Sequence, residues 1–164
     1  MRSENQTEAE FTMRAAGQMV RDEPGVPTPD ERKLRVALIL EEVFEFADAM
    51  SVSLYDFTGM RIDFDSIEIE ADLPPYDVDW LKAVDACCDI QYVNSGSFAC
   101  LGADDVEHVR EVNKCNRAKF PDGQAIVDES GKYLKPDGWV GPNHERVLEE
   151  IGADFTELEN EAQL

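Results

Sequence analysis

The chain is 164 residues long and has a formal net charge of −21, from 36 acidic and 15 basic residues. Its hydrophobic content of 43% argues against global disorder and favours one domain of ordinary size spanning residues 1–164. The charge argues against a surface that binds a nucleic-acid polymer. A nucleotide is still allowed, because it can arrive neutralised by divalent cations.

The cysteines, the histidines and the hydropathy pattern indicate which metal sites and which cellular compartment to expect. The four cysteines form no CxxC pair and the two histidines lie far apart, so we expect reduced thiols and no zinc site. The sequence shows no signal peptide, membrane-spanning run or basic targeting tail. We therefore expect a cytoplasmic protein without membrane partners.

The first elements in chain order are helical. Residues 1–7 are polar and expected to be frayed, and 8–21 predict a first helix, followed by a Pro/Gly loop. Thr28-Pro29-Asp30-Glu31 is typical of a helix start, with Thr28 as the N-cap and Glu31 three residues later. This start predicts a long central helix that ends near residues 50–52.

The central helix carries the acidic motif EEVFE. Glu42 and Glu45 share one side at i,i+3 spacing, with Glu41 and Asp48 beside them. The rest of the circumference is apolar, so we expect most of this helix to be buried. Because residues 36–60 contain no Lys or Arg, a metal ion could supply the missing positive charge. A solvated acidic stripe fits the same residues equally well.

The stretch 53–78 is harder to interpret. Residues 62–70 largely alternate apolar and acidic side chains, which is typical of a strand, and Leu73-Pro74-Pro75 interrupts the pattern. We expect a small hairpin or an irregular excursion between two helices.

A second long helix is predicted over 78–102. Asp85 and Asp89 lie at i,i+4 on an otherwise apolar helix, with Tyr92 on the same line. Such aspartates are costly unless they are paired or bind metal. The alternative is that both face water, with Lys82 as a partial partner.

A further helix is predicted over 104–120, with Asp104 and Asp105 available as caps. Cations and amides are concentrated in its later turns: Arg110, Asn113, Lys114, Asn116, Arg117 and Lys119. A helix C-terminus by itself favours cations at these positions, and the alternative is an anion clamp for phosphate oxygens. Residues 121–142 predict a flap-like loop or hairpin, and 143–159 predict a last, very acidic helix.

The two acidic motifs could belong to one site. If the long helices are antiparallel neighbours, Glu42, Glu45, Asp85 and Asp89 converge. All-oxygen ligation selects Mg²⁺ or Mn²⁺, and Mg²⁺ commonly completes its shell with water and substrate phosphates. The pattern therefore suggests metal-assisted hydrolysis of a polyphosphate.

EEVFE followed by DACCDIQYVNSGSFACLG resembles the all-α nucleoside triphosphate pyrophosphohydrolases, which include MazG, dimeric dUTPases and phosphoribosyl-ATP pyrophosphohydrolase. Their pattern is EExxE on one helix and ExxD, or a DxxxD variant, on the next. EVNKCNRAKFPDG and DESGKYLKP are similar to a tail of phage and bacterial MazG-like proteins, among them the phage MazZ group. The likeness covers residues 34–142. It implies an all-α, MazG-like bundle of four to five helices that forms a homodimer or homotetramer, in the host cytoplasm if phage-encoded.

The resemblance also implies an activity and residue roles. The activity is cleavage of a (d)NTP to a monophosphate and pyrophosphate, with a purine deoxynucleotide such as dGTP as the expected substrate, and one or more Mg²⁺ or Mn²⁺ ions. Glu41, Glu42 and Glu45 would be catalytic, with Glu41 orienting or deprotonating the attacking water. The metal ligands would be Glu42, Glu45, Asp85 and Asp89, although Ala86 stands where ExxD members carry Glu.

Substrate contacts follow from the same likeness. The residues expected to bind substrate are Tyr92, Asn113, Asn116, Lys119, Lys132 and Lys135, the last two within a subunit or across a subunit boundary. Two other classes of protein remain open. A non-catalytic acidic decoy that mimics DNA would suit the charge, although it needs no acids on buried helices. A calcium-binding module fits less well, because no twelve-residue loop of alternating acids is present.

Overall fold

In the computed structural model, residues 3–71, 78–128 and 133–152 are described. Within them lie five α-helices and one antiparallel hairpin: α1 Glu4–Ala15, α2 Pro29–Ala49, α3 Trp80–Leu101, α4 Asp105–Ala118, β1 Ile126–Val127, β2 Tyr133–Leu134 and α5 His144–Glu150. This architecture confirms the predicted all-α class. None of the described helices is long and apolar enough to cross a membrane.

The contacts divide the chain into two compact units. The α2 unit is Arg21–Asp85, and the α4 unit is Met1–Val20 together with Ala86–Leu164. Helix α3 begins in the α2 unit and continues in the α4 unit.

Helix α2 begins where the capping pattern predicts. The Thr28 hydroxyl accepts a hydrogen bond from the Glu31 N–H at 3.3 Å, and the Glu31 carboxylate accepts one from the Thr28 N–H at 2.6 Å. This reciprocal box satisfies two of the N–H groups that a helix start leaves unpaired. The Arg21 guanidinium also binds Glu31 at 2.6 Å, and this hydrogen bond is the main cause of the lowered pKa of Glu31.

The prediction that most of α2 is buried is wrong for the single chain. No residue of α2, which the structure describes in full, is buried, and Val43 is 47% exposed. Helix α3, also fully described, has no buried residue either, and Leu81 and Val93 are 74% and 63% exposed. The sequence pattern correctly predicts that α2 and α3 carry apolar side chains, but within a single chain these side chains remain accessible to solvent.

The segment after α2 is an irregular excursion, as expected. Tyr55 and Arg61 form an isolated antiparallel bridge, and a 3₁₀ turn spans Phe64–Ser66. The strand interpretation of residues 62–70 is wrong, because this turn brings Phe64 onto α2, with its ring centroid 6.1 Å from that of Phe44. The Leu73-Pro74-Pro75 break lies outside the described residues.

In the α4 unit, the limits of the first helix differ from the prediction, whereas the start of α4 agrees with it. Helix α1 runs from Glu4 to Ala15 rather than over 8–21, because Ser3 caps it by accepting a hydrogen bond from the Gln6 N–H. It therefore includes residues that were expected to be frayed. Helix α4 starts after Asp104, whose carboxylate accepts hydrogen bonds from two N–H groups of the first turn, as predicted.

Helices α1 and α4 are joined by charge-assisted contacts. The Arg117 guanidinium donates two hydrogen bonds of 2.7 Å to the Glu8 carboxylate and lies 4.1 Å from the centroid of the Phe11 ring. The hydrogen bond from Arg117 lowers the pKa of Glu8. Planar, bidentate pairing of this kind fixes orientation as well as distance.

Helices α4 and α5 meet around a buried carboxylate. Glu111 is only 7% exposed, and it accepts hydrogen bonds from the Asn143 N–H at 3.2 Å, Arg146 at 2.6 Å and Lys114 at 3.4 Å. The Asn143 N–H, followed by the two cations, lowers the pKa of Glu111 against the opposing effect of burial. Helix α5 ends at Glu150; the rest of the predicted last helix lies largely in residues 153–164, outside the described chain.

Replacing Glu111 with Gln should destabilise the protein by about 2 kcal/mol at neutral pH, because charge-assisted hydrogen bonds are weakened inside the α4–α5 contact. Because the pKa of Glu111 is lower in the folded protein than in the unfolded chain, where it is about 4.3, the ionised carboxylate stabilises the fold at pH values above that. This contribution is lost as the pH falls through the pKa of the folded protein. Thermal unfolding of both proteins between acidic and neutral pH measures the effect.

The matched control is Glu107→Gln, which removes a half-exposed pair with Arg110 on the same helix and should cost far less. A stability difference between wild type and Glu111→Gln that persists unchanged at low pH would contradict this account.

Candidate functional site

An open cleft in the α2 unit collects three of the acids on α2. Glu41, Glu45 and Asp48 line a cavity of about 250 Å³, whose apolar lining includes Phe44 and Phe64. The folding back of the chain after α2 creates this cleft, because residues 52–54 and 61–64 supply its opposite side. Glu42 follows Glu41 directly in α2 and is also exposed.

The cleft contains one cation of its own. The Arg61 guanidinium lies 3.4 Å from the Asp48 carboxylate and 3.3 Å from that of Asp63. The interpretation that the acidic cluster has no local counter-charge is therefore wrong for Asp48. Within the described residues of the α2 unit, neither Glu41 nor Glu45 has an ion-pair partner.

The donor set on this cleft suits a hard cation. Mg²⁺ is commonly held by one or two carboxylates and keeps several waters, and Glu41 and Glu45 offer two such carboxylates to one cavity. In the part of the chain that is described, no group of three or more His, Cys, Asp or Glu side chains is arranged to hold a metal ion. The residues present therefore fit a water-rich Mg²⁺ or Mn²⁺ site rather than a cage built only from protein ligands.

The second acidic motif is on the exposed surface of α3. Asp85 and Asp89 are both exposed, and Tyr92 is 80% exposed. Lys82 pairs with Asp79 at 3.2 Å and is not the partner of Asp85 that the water-facing interpretation assumed. The convergence of these aspartates with the acids of α2 stays a prediction.

Three of the four cations late in α4 have structural partners. Arg110 binds Glu107 at 2.5 Å, Lys114 binds Glu111, and Arg117 binds Glu8. These contacts hold the helix and its neighbours, so most of the predicted anion clamp has a packing role.

The fourth cation, Lys119, lies in a different environment. Its ammonium group donates a hydrogen bond to the Asn116 side chain at 2.9 Å and lies 5.2 Å from the centroid of the Trp139 ring. The Lys135 ammonium lies 4.3 Å from the same centroid. The structure thus brings together three predicted substrate-binding residues, whereas Lys132 lies outside the described chain. Asn113 is half-buried on α4, one helical turn before Arg117.

A small cleft borders these lysines. It has a volume of about 190 Å³ and is lined by Lys119, Phe120, Ala125, Ile126, Leu134 and Lys135. The β1–β2 hairpin, in which Ile126 pairs with Leu134, supplies one side of it. Sequence reasoning missed Trp139, although an aromatic residue directly after the Pro-Asp-Gly turn that follows Lys135 was an available signal.

Comparisons with known proteins place the chain in a family. Residues 10–116 match the model of the phosphoribosyl-ATP pyrophosphohydrolase family, and the chain belongs to this family. The fold is similar to the crystal structure of a candidate NTP pyrophosphohydrolase from Exiguobacterium sp. 255-15, with 22% identity, a TM-score of 0.66, and coverage of 98% of this chain and 99% of that one. No curated protein matches the chain.

Replacing Glu45 with Gln should weaken Mn²⁺ binding by about tenfold, because the α2 cleft loses one of its two carboxylates without an ion-pair partner. Titration with Mn²⁺, followed by electron paramagnetic resonance of the free ion, measures the affinity. The matched control is Asp48→Asn, whose carboxylate is already paired with Arg61 and which should change the affinity much less. Equal losses in the two variants would show that Glu45 has no special role.

Proposed function

We propose that the protein is a Mg²⁺- or Mn²⁺-dependent nucleoside triphosphate pyrophosphohydrolase that converts a (d)NTP and water into a (d)NMP and pyrophosphate. Membership of the pyrophosphohydrolase family supports the reaction class in general. The observation that carries the proposal is the pair of carboxylates, Glu41 and Glu45, that lines one cleft without an ion-pair partner in the described α2 unit. A hydrated cation suits such a pair, with Glu45 as a direct ligand and Glu41 facing the water that the cation binds.

Each acid has a proposed role. Glu41 orients the attacking water and accepts its proton as the water oxygen bonds to the α-phosphorus and the bond to the bridging oxygen breaks. Pyrophosphate leaves with that bridging oxygen. Glu42 and Glu45, with Asp85 and Asp89, would hold the metal. A bound Mg²⁺ or Mn²⁺ supplies water activation and screening of phosphoryl charge.

The lysine cluster is the proposed site for the phosphates that leave. Lys119 and Lys135 supply ammonium donors, and Asn116 holds Lys119 in place through the 2.9 Å hydrogen bond. Tyr92 and Asn113 complete the proposed substrate contacts. Among substrates, we propose a purine deoxynucleotide such as dGTP.

The exposed helices favour an oligomer. Helices α2 and α3 each carry several large apolar residues that the single chain leaves accessible, and extensive exposed apolar surface commonly marks a subunit interface. We propose that a homodimer or homotetramer covers it, as symmetric oligomers bury the same patch on each copy.

Glu42→Gln and Glu45→Gln should each abolish turnover while the helical circular dichroism remains that of the wild type, because the substitutions remove a charge from an exposed position. Incubation with each (d)NTP and Mg²⁺ or Mn²⁺, followed by chromatography of the products, measures both activity and substrate preference. Asp48→Asn should remain active. Full activity in both glutamate variants would refute the metal assignment, and release of orthophosphate would refute the reaction class.

Light scattering after size-exclusion chromatography should give the mass of a dimer or tetramer for the wild type. Val93→Asp should shift the mass towards the monomer, because it places a charge on the exposed apolar surface of α3. Val26→Asp, in the loop before α2, is the matched control and should leave the mass unchanged. A monomeric wild type at micromolar concentration would contradict the proposal.

A further inference from the structure

We propose that Trp139 is a positioning residue that holds Lys119 and Lys135 together as one binding site for a pyrophosphate group. The choice of ligand rests on the proposed function, whereas the arrangement of the three side chains is independent of it. Trp139 is not expected to touch the reacting atoms, and its effect is exerted through the two lysines.

The first argument is the unusual environment of the two ammonium groups. In a chain with 36 acidic and 15 basic residues, most described cations have a carboxylate nearby, as Lys114 does. Among residues 3–71, 78–128 and 133–152, neither Lys119 nor Lys135 has a carboxylate partner. Both lie beside the Trp139 ring instead. A cation–π contact orients an ammonium group but leaves its charge uncancelled, so both charges stay available to an anion.

The second argument is the anchor that fixes the ring. The Trp139 indole N–H donates a hydrogen bond of 2.8 Å to the Cys115 carbonyl oxygen. Helix α4 ends at Ala118, so this carbonyl is among the last four, which a helix leaves without partners of its own. The same helix end carries Lys119. One hydrogen bond therefore connects the loop that contains Trp139 to the helix end that presents the first lysine.

The third argument is the local geometry that aims the indole. The backbone N–H of Trp139 donates a hydrogen bond of 3.0 Å to the Pro136 carbonyl oxygen. This bond closes a tight turn in which Gly138 has a φ of 75°. A φ of this sign favours glycine. The first residue of the turn is Pro136, which directly follows Lys135. The turn thus delivers the second lysine and the ring from one short segment.

These contacts reduce the cost of binding. Lysine side chains have large rotamer entropy, and a phosphate that must order two of them from distant parts of the chain binds more weakly. A ring that already holds both ammonium groups removes part of that cost. The predicted signature is weaker binding of phosphate on loss of the ring, with little change in the chemical step.

The test uses Trp139→Leu and Trp139→Phe in the full-length protein. Calorimetric titration with inorganic pyrophosphate, without divalent cations, measures binding at this site. We expect Trp139→Leu to raise the Kd about tenfold, and Trp139→Phe, which keeps a ring but loses the N–H, to raise it roughly threefold. In (d)NTP hydrolysis, KM should rise by similar factors while kcat stays within about twofold of the wild type.

A double-mutant cycle separates positioning from a general loss of structure. Lys135→Gln should raise the Kd for pyrophosphate strongly in the wild type and only weakly in Trp139→Leu, because the ring is what makes that lysine effective. Lys114→Gln, on the same helix but paired with Glu111, is the charge-matched control and should have a small effect in both backgrounds. If Trp139→Leu loses helical circular dichroism, the same double-mutant cycle with Trp139→Phe tests whether the ring positions Lys135.

The outcomes distinguish this inference from the proposed function. Pyrophosphate binding that depends on Trp139, in a protein that hydrolyses no (d)NTP, would refute the enzyme and support the site. Hydrolysis in the wild type together with an unchanged Kd and KM in Trp139→Leu would overturn the inference alone. Additive effects of Trp139→Leu and Lys135→Gln, or no pyrophosphate binding by the wild type, would also overturn it.

Discussion

Electrostatic repulsion between carboxylates on one face of α2 is the constraint on which this account depends. Glu41 and Glu45 are four residues apart, and like charges at that spacing destabilise a helix. Arg61 enters the same cleft but binds Asp48 and Asp63. The two glutamates are therefore acids of this cleft that have no ion-pair partner in the described α2 unit, and the proposed metal is assigned to the cleft on that ground.

The α4 unit shows the complementary chemistry. Its cations with carboxylate partners hold helices together, as Arg117 does with Glu8, whereas Lys119 and Lys135 are held by a neutral indole. A triphosphate with its divalent cation needs both kinds of site, because carboxylates bind the metal and ammonium groups bind the phosphate oxygens. Membership of the pyrophosphohydrolase family and the presence of both kinds of side chain support the proposed reaction.

Two of the helix starts, which depend on neighbours in sequence, were predictable, whereas the Ser3 cap of α1 was missed. The caps at Thr28 and Asp104 follow from spacings that helix geometry imposes within one turn. Features that depend on distant contacts were not predictable. The alternation at 62–70 is typical of a strand, but residues 64–66 form a 3₁₀ turn, and the Phe64 ring packs against Phe44 of α2. The role of Trp139 is visible only once the loop returns to the end of α4. Burial of α2 could not be predicted either, because it depends on what covers the helix.

Anomalous diffraction from crystals grown with Mn²⁺ and a non-hydrolysable triphosphate analogue tests the central claim most directly. We expect an anomalous peak within bonding distance of the Glu45 carboxylate, with phosphate oxygens in the same coordination shell. A peak coordinated only by other side chains, or Glu45 paired with an arginine in its place, would contradict it.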